Sequence, residues 1–110
     1  MSENDSSLPK TYEAFVARFP EVAEAHQNTA RALADAGPLD ARANALVKLA
    51  ICVGAGLESA VKSHVRRALD AGASAEEIEH VLISGISSIG FPSSVAAWQW
   101  GSQALRESDA

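Results

Sequence analysis

Asp40-Ala-Arg-Ala-Asn-Ala-Leu-Val-Lys-Leu-Ala-Ile-Cys-Val53, then Gly54-Ala-Gly56, then Leu57-Glu-Ser-Ala-Val-Lys-Ser-His-Val-Arg-Arg-Ala-Leu-Asp-Ala71 is the stretch on which the fold turns. Asp40 is the kind of residue that accepts hydrogen bonds from the free amides at a helix start, so a helix is expected from there through about Val53. Gly54-Ala-Gly56 breaks or tightly bends the chain. A second helix follows from about Leu57 to Ala71, closed by Gly72. Ser74 and Glu77 then stand at capping-box spacing, in which hydroxyl and carboxylate satisfy orphan amides reciprocally, so a further helix starts there and runs to Gly90. Pro92 fits the first turn of the last helix, which carries Val95, Trp98, Gln99, Ser102 and Leu105 on one side before the polar tail.

Towards the N-terminus, Tyr12, Phe15, Val16 and Phe19 recur at helical spacing and stop at Pro20, which suits the first turn of another helix ending at Gly37-Pro38. The apolar stripe of that helix, Val22, Ala30 and Leu33, also holds His26. Alanine occurs 22 times and no Asn-Gly or Asp-Gly hairpin signal is present, so propensity and turn chemistry both favour an all-α protein of about six helices. The organisation expected is one domain over residues 8–107, between flexible ends at 1–7 and 108–110.

The chain has 110 residues, 47% hydrophobic and 21% charged, with nine Lys plus Arg against fourteen Asp plus Glu and a net charge of −5. That balance repels phosphate backbones and anionic headgroups, so neither nucleic acid nor a membrane is expected as a partner. The single cysteine, Cys52, has no partner for an internal disulfide, and no Cys/His cluster stands at metal-ligand spacing; no metal is expected, and a reducing compartment is. The start, Met1 to Ser7, lacks the basic flank and apolar stretch of a secretion signal, so a cytoplasmic location is expected. Ala45 to Leu57 is the most apolar segment, but Lys48 interrupts it and it is short of the roughly 20 residues that span a bilayer. A chain of this size has a modest core, and Trp100 lies roughly 160° around the last helix from Val95 and Trp98. With Ile83 on the less apolar flank of its own helix, that ring argues for a homo-oligomer.

The string from Leu39 to Ala50, continuing through Gly54 to Gly72 and Ala75-Glu-Glu-Ile78, resembles the carboxymuconolactone decarboxylase and alkylhydroperoxidase-D-like superfamily. The likeness covers about residues 12 to 105, including the Gly90-Phe-Pro92 step. It implies a small all-helical protein assembled as a homotrimer or homohexamer. In the peroxidase branch a Glu, two Cys and a His carry the chemistry; these fall on Ala45, Leu57, Ala60 and His64, so only the histidine is kept. Peroxide reduction needs one thiolate to attack and a second thiol to resolve the sulfenic acid, and neither Leu57 nor Ala60 supplies sulfur. Cys52, inside an apolar run, reads as a buried inert thiol. The pattern is similar to the cysteine-free branch, which includes the lactone decarboxylase itself. There, loss of carbon dioxide leaves electrons on the lactone carbonyl, and the enzyme stabilises that oxyanion and delivers a proton. An imidazole performs either task near neutrality, and no cofactor is required.

His64 shares the expected apolar face of its helix with Leu57, Ala60, Val61 and Ala68, an odd place for a group that must be hydrogen-bonded when buried. It is either a core histidine satisfied by a carbonyl or water, or the catalytic proton donor or oxyanion partner that the resemblance implies, lining a small apolar pocket near a subunit seam. His26 reads as a core histidine, and His80 as a surface or seam residue. Glu58 is the second catalytic candidate, although six residues from His64 is a rotation of about 240°; its plainer role is an exposed ion pair with Lys62. Lys62, Arg66 and Arg67 form the basic cluster of an acidic chain. They are either a solvated face or a carboxylate clamp in which Arg67 binds substrate through paired hydrogen bonds. Two functions remain open: a cofactor-free lyase on a small carboxylated or lactonic molecule, and a non-catalytic oligomeric scaffold for binding.

Overall fold

A computed structural model describes the chain from Glu3 to Asp109, with side-chain surroundings from Lys10 onward. Seven helices account for the regular structure among these residues: α1 (Glu3–Arg18), α2 (Pro20–Asp35), α3 (Ala41–Ala55), α4 (Glu58–Asp70), α5 (Ala75–Ser84), the single turn α6 (Ile86–Ile89) and α7 (Phe91–Asp109). The all-α reading holds. The chain falls into two compact units, residues 1–38 and 39–110, where the sequence suggests one domain. Met1, Ser2 and Ala110 lie outside the described residues, so the expected flexible ends are described only in part. Helix α1 begins at Glu3 and α7 runs to Asp109, so each reaches into a stretch expected to be a tail.

The first unit is the pair α1 and α2, joined at Phe19 with Pro20 at the start of α2. The Phe15 and Phe19 rings meet tilted, centroids 5.4 Å apart, and the Arg18 guanidinium lies 4.7 Å over the Phe19 ring. Gln27 Nε2 donates to the Tyr12 hydroxyl at 3.0 Å. Among the described residues of this unit Ala23 is the buried side chain, while Tyr12, Phe15, Phe19, Val22 and Leu33 are exposed. The stripe containing His26 is therefore not a core, and His26 is exposed.

The second unit is built from the signals read in the sequence. Asp40 accepts from the Ala43 amide at 2.8 Å and caps α3. Gly56 closes α3 with φ +70°, a left-handed conformation in which a side chain is strained. The capping box of α5 is complete: Glu77 donates its amide to Ser74 Oγ at 3.0 Å and its Oε1 accepts from the Ser74 amide at 2.9 Å. Arg42 Nε also reaches Glu77 Oε1 at 3.2 Å, tying the first turn of α3 to that of α5. Leu49, Cys52 and Val53 of α3, Val61, Val65 and Ala68 of α4, Ile78 and Leu82 of α5, and Ala97 and Ala104 of α7 form one buried cluster. No helix among the described residues is long and apolar enough to cross a membrane.

Two expectations are corrected here. The helix expected from Ser74 to Gly90 is interrupted at Gly85, where α5 ends and α6 turns before Gly90 takes φ +96°. The last helix is also rotated from its expected facing: it buries Ser94, Ala97, Gly101 and Ala104, with Trp100 and Leu105 packed partly against the core, and leaves Val95 and Trp98 exposed. Small residues line the buried stripe because α7 lies close against α5. A Cβ built on Gly101 would fall 2.6 Å from Leu82 Cδ2 and 3.0 Å from its Cγ. The exposed indole is that of Trp98, its Nε1 donating to Glu79 Oε2 at 3.0 Å.

Candidate functional site

The buried stripe of α4 is Val61, Val65 and Ala68, each without solvent exposure. His64 precedes Val65 by one residue, about 100° around the axis, and so sits on the shoulder of that stripe, half-buried. Its Nδ1 is shut off from solvent and has no hydrogen-bond partner among the described residues. No carbonyl among the described residues accepts from it or otherwise pairs with it. Leu57, expected on the same apolar face, instead stands exposed at the N-cap of α4.

Two cations act on this imidazole. Burial first, then Arg67 one turn on along α4, then Lys48 from α3, hold His64 below the ordinary imidazole range. Arg67 also acts on Cys52: burial pushes that thiol up from its usual value and the guanidinium offsets part of the rise. Lys48 and Cys52 are one turn apart on α3, as His64 and Arg67 are on α4, and the two helices pack together. The result is a neutral imidazole with an unused ring nitrogen, a protonated buried thiol, a half-buried ammonium and an exposed guanidinium. Such a set suits an anion. A carboxylate near Arg67 and Lys48 would pair with both charges, and a neutral imidazole still offers one N–H to a developing oxyanion.

Glu58 is not brought to this group. It opens α4, its carboxylate 3.4 Å from Lys62 Nζ and its side chain 55% exposed. The ion pair expected between them is present, but Lys62 is no part of a solvated face: only 5% of it is exposed. The whole side chain is packed away, and the exposed Glu58 carboxylate supplies the countercharge for its buried ammonium. Arg66 is half-buried and Arg67 exposed. His80 is exposed, in keeping with a surface position. Among the described residues no group of three or more His, Cys, Asp and Glu is arranged to hold a metal ion.

Sequence reasoning did not single out Lys48, whose charge acts on His64. It stood out only as the charge that keeps Ala45 to Leu57 from reading as a membrane span. Its spacing of four from Cys52, on the helix preceding the His64 helix, was the available signal. The positions matching the peroxidase Glu and second Cys, Ala45 and Ala60, are both half-buried apolar side chains against the core. A groove of about 210 Å³ lies elsewhere, among Ile83, Ile86, Phe91, Ser94, Val95 and Trp98, and His64 is not in its lining.

The family model described as the carboxymuconolactone decarboxylase family matches residues 20–103. The chain belongs to that family. No curated protein and no solved structure matches it. The family match begins at the first residue of α2 and ends inside α7, so it takes in His64 and Arg67 together with the whole of α3 and α4.

Proposed function

We propose that this member of the carboxymuconolactone decarboxylase family is a cofactor-free lyase acting on a small carboxylated or lactonic molecule, with His64 and Arg67 as its working residues and a homo-oligomer, trimer or hexamer, as its working form. The supporting observation is the solvent-shielded, unpartnered Nδ1 of His64 beside Arg67 and Lys48. Arg67 holds a carboxylate of the substrate. As the bond to the departing carboxylate breaks, carbon dioxide leaves and the electron pair delocalises onto the lactone carbonyl oxygen. His64, neutral at rest, donates its N–H to that oxygen, and a proton taken up from solvent is relayed through the same imidazole to the carbon that lost carbon dioxide. Glu58, engaged with Lys62, takes no step.

The test is turnover of small lactone carboxylates followed by carbon dioxide release. His64→Gln should lower the rate by roughly 10² to 10⁴, and Arg67→Gln should raise KM for carboxylated substrates more than it lowers kcat. The competing reading, a scaffold that binds without turnover, draws on the groove that lies away from His64. It requires that no lactone carboxylate be consumed and that His64→Gln change stability alone.

A further inference from the structure

The groove between α5, α6 and α7 of the second unit is framed by exposed apolar side chains. Phe91 is 65% exposed, Val95 43%, Ile83 42%, Trp98 41% and Ile86 40%. Ser94 lies at the floor, 1% exposed, and its Oγ has no partner. No charged side chain lines the groove; the Glu79 carboxylate near its edge already accepts from Trp98 Nε1. These five exposed side chains come from three consecutive helices over residues 83–98, so they form one patch rather than scattered residues. From the fractions exposed, the patch presents on the order of 500 Å² of apolar surface, at the upper end of what soluble monomers leave open. One partner of a standard interface contributes about 800 Å², and homodimer interfaces are about 65% apolar, which asks for about 520 Å² per subunit.

We infer that this patch, with Phe91 as its projecting ring and the groove beside it as the receiving surface, is the face through which neighbouring copies of this chain associate. The area matches the need, and the surface supplies both halves of a contact that a trimer or hexamer can repeat: a ring standing out on one copy and a hollow to receive it on the next. The chain's net charge of −5 makes copies repel at long range. An uncharged, apolar contact region is where that repulsion costs least. The interrupted helix serves this arrangement. Ending α5 at Gly85 and turning through α6 brings Ile86 to the same side as Ile83 and leaves Phe91 at the open start of α7. The inference rests on the homo-oligomer of the proposed function and names its surface; it does not depend on the lyase chemistry.

Sedimentation velocity on the full chain across nanomolar to micromolar concentration, with circular dichroism on the same samples, tests it. The wild type should sediment above its 11.5 kDa and shift with dilution. Phe91→Asp and Val95→Asp, both at exposed positions, should keep the helical signal while weakening self-association at least about 30-fold, the loss expected from a central interface residue. A second readout locates the contact: Trp100→Phe leaves Trp98 as the sole tryptophan, and its emission should move to the red on dilution as the indole becomes wet. A wild type that is monomeric throughout overturns the assembly and this surface together. An oligomer that persists in both aspartate variants, with Trp98 emission independent of concentration, overturns this surface and leaves the homo-oligomer standing.

Discussion

Adding one methyl group at Gly101 should disturb the second unit measurably, and the structure gives the size of the effect. Leu82 is fully buried, and the new Cβ would lie 2.6 Å from its Cδ2 and 3.0 Å from its Cγ, against an ordinary carbon–carbon contact of about 3.5–4.0 Å. Relief requires a displacement of about 1 Å in a side chain walled in by the core. Overpacking of this kind costs about 1–3 kcal/mol. Replacing Gly by Ala within a helix returns about 1 kcal/mol. The balance for Gly101→Ala is thus about 0–2 kcal/mol of destabilisation, centred near 1, or a fall in Tm of roughly 4–8 °C for a unit of this size. Leu82→Ala alone should cost about 2–5 kcal/mol through its cavity. In that background the added methyl enters free space, so Gly101→Ala should become stabilising by about 1 kcal/mol. The change of sign is a coupling of about 2 kcal/mol, large for a single pair. Urea titration followed by circular dichroism, at one fixed protein concentration so that association does not contribute, measures all four states. If Gly101→Ala stabilises the wild type by the full helix-propensity gain, and the two substitutions add without coupling, the close approach of α5 and α7 is refuted.

His64 supplies a pH signature. Its folded pKa lies below the unfolded one, so the folded state resists a proton that the unfolded chain accepts; stability should be level above about pH 6.5 and fall as the pH drops from there towards the folded pKa. His64→Gln should flatten that part of the curve, and the imidazole NMR resonances of His64 should titrate below the ordinary imidazole range. Cys52, buried and with its thiol pKa raised, should react slowly with iodoacetamide at pH 7–8 until the protein is unfolded. Peroxide reduction with a dithiol reductant should stay at background; turnover lost on Cys52→Ser would show that the reactive sulfur had been misplaced.

Local chemistry was legible in the sequence where it is short-ranged. Asp40, Gly56, Ser74 with Glu77, and Pro20 each act within one helical turn, and each sits where its pattern places it. The facing of α7 was not legible. Weighing hydrophobicity favours Val95 and Trp98 as the inner side, whereas close approach of two helices selects Ser94, Ala97, Gly101 and Ala104, whose small size registers only against a neighbour. The interruption at Gly85 escaped for a related reason: Ile83, Ile86 and Ile89 continue a helical rhythm across it, and nothing local marks a break except a glycine that helices tolerate. At the candidate site, the family pattern singled out His64, and Arg67 stood out only as an arginine one turn further along the same helix. Lys48 was not legible, because its relation to His64 exists only once α3 lies against α4. Lys62 misled because charge was taken for exposure, while its long stem allows burial with the ammonium still at Glu58.

Glu77 closes two rings of very different size with one carboxylate. Its Oε1 accepts from the Ser74 amide within a span of four residues, and the same atom accepts from Arg42 Nε across a separation of 35 residues. A capping box is ordinarily a device of secondary structure that opens and closes with its own helix. Here the local ring shares an atom with the long one, so fraying of the first turn of α5 and separation of α3 from α5 are not independent events. Exchange of the Ser74 amide with solvent therefore reports on a tertiary contact as much as on a helix end, and the Glu77 carboxylate makes the N-termini of two helices one cooperative element.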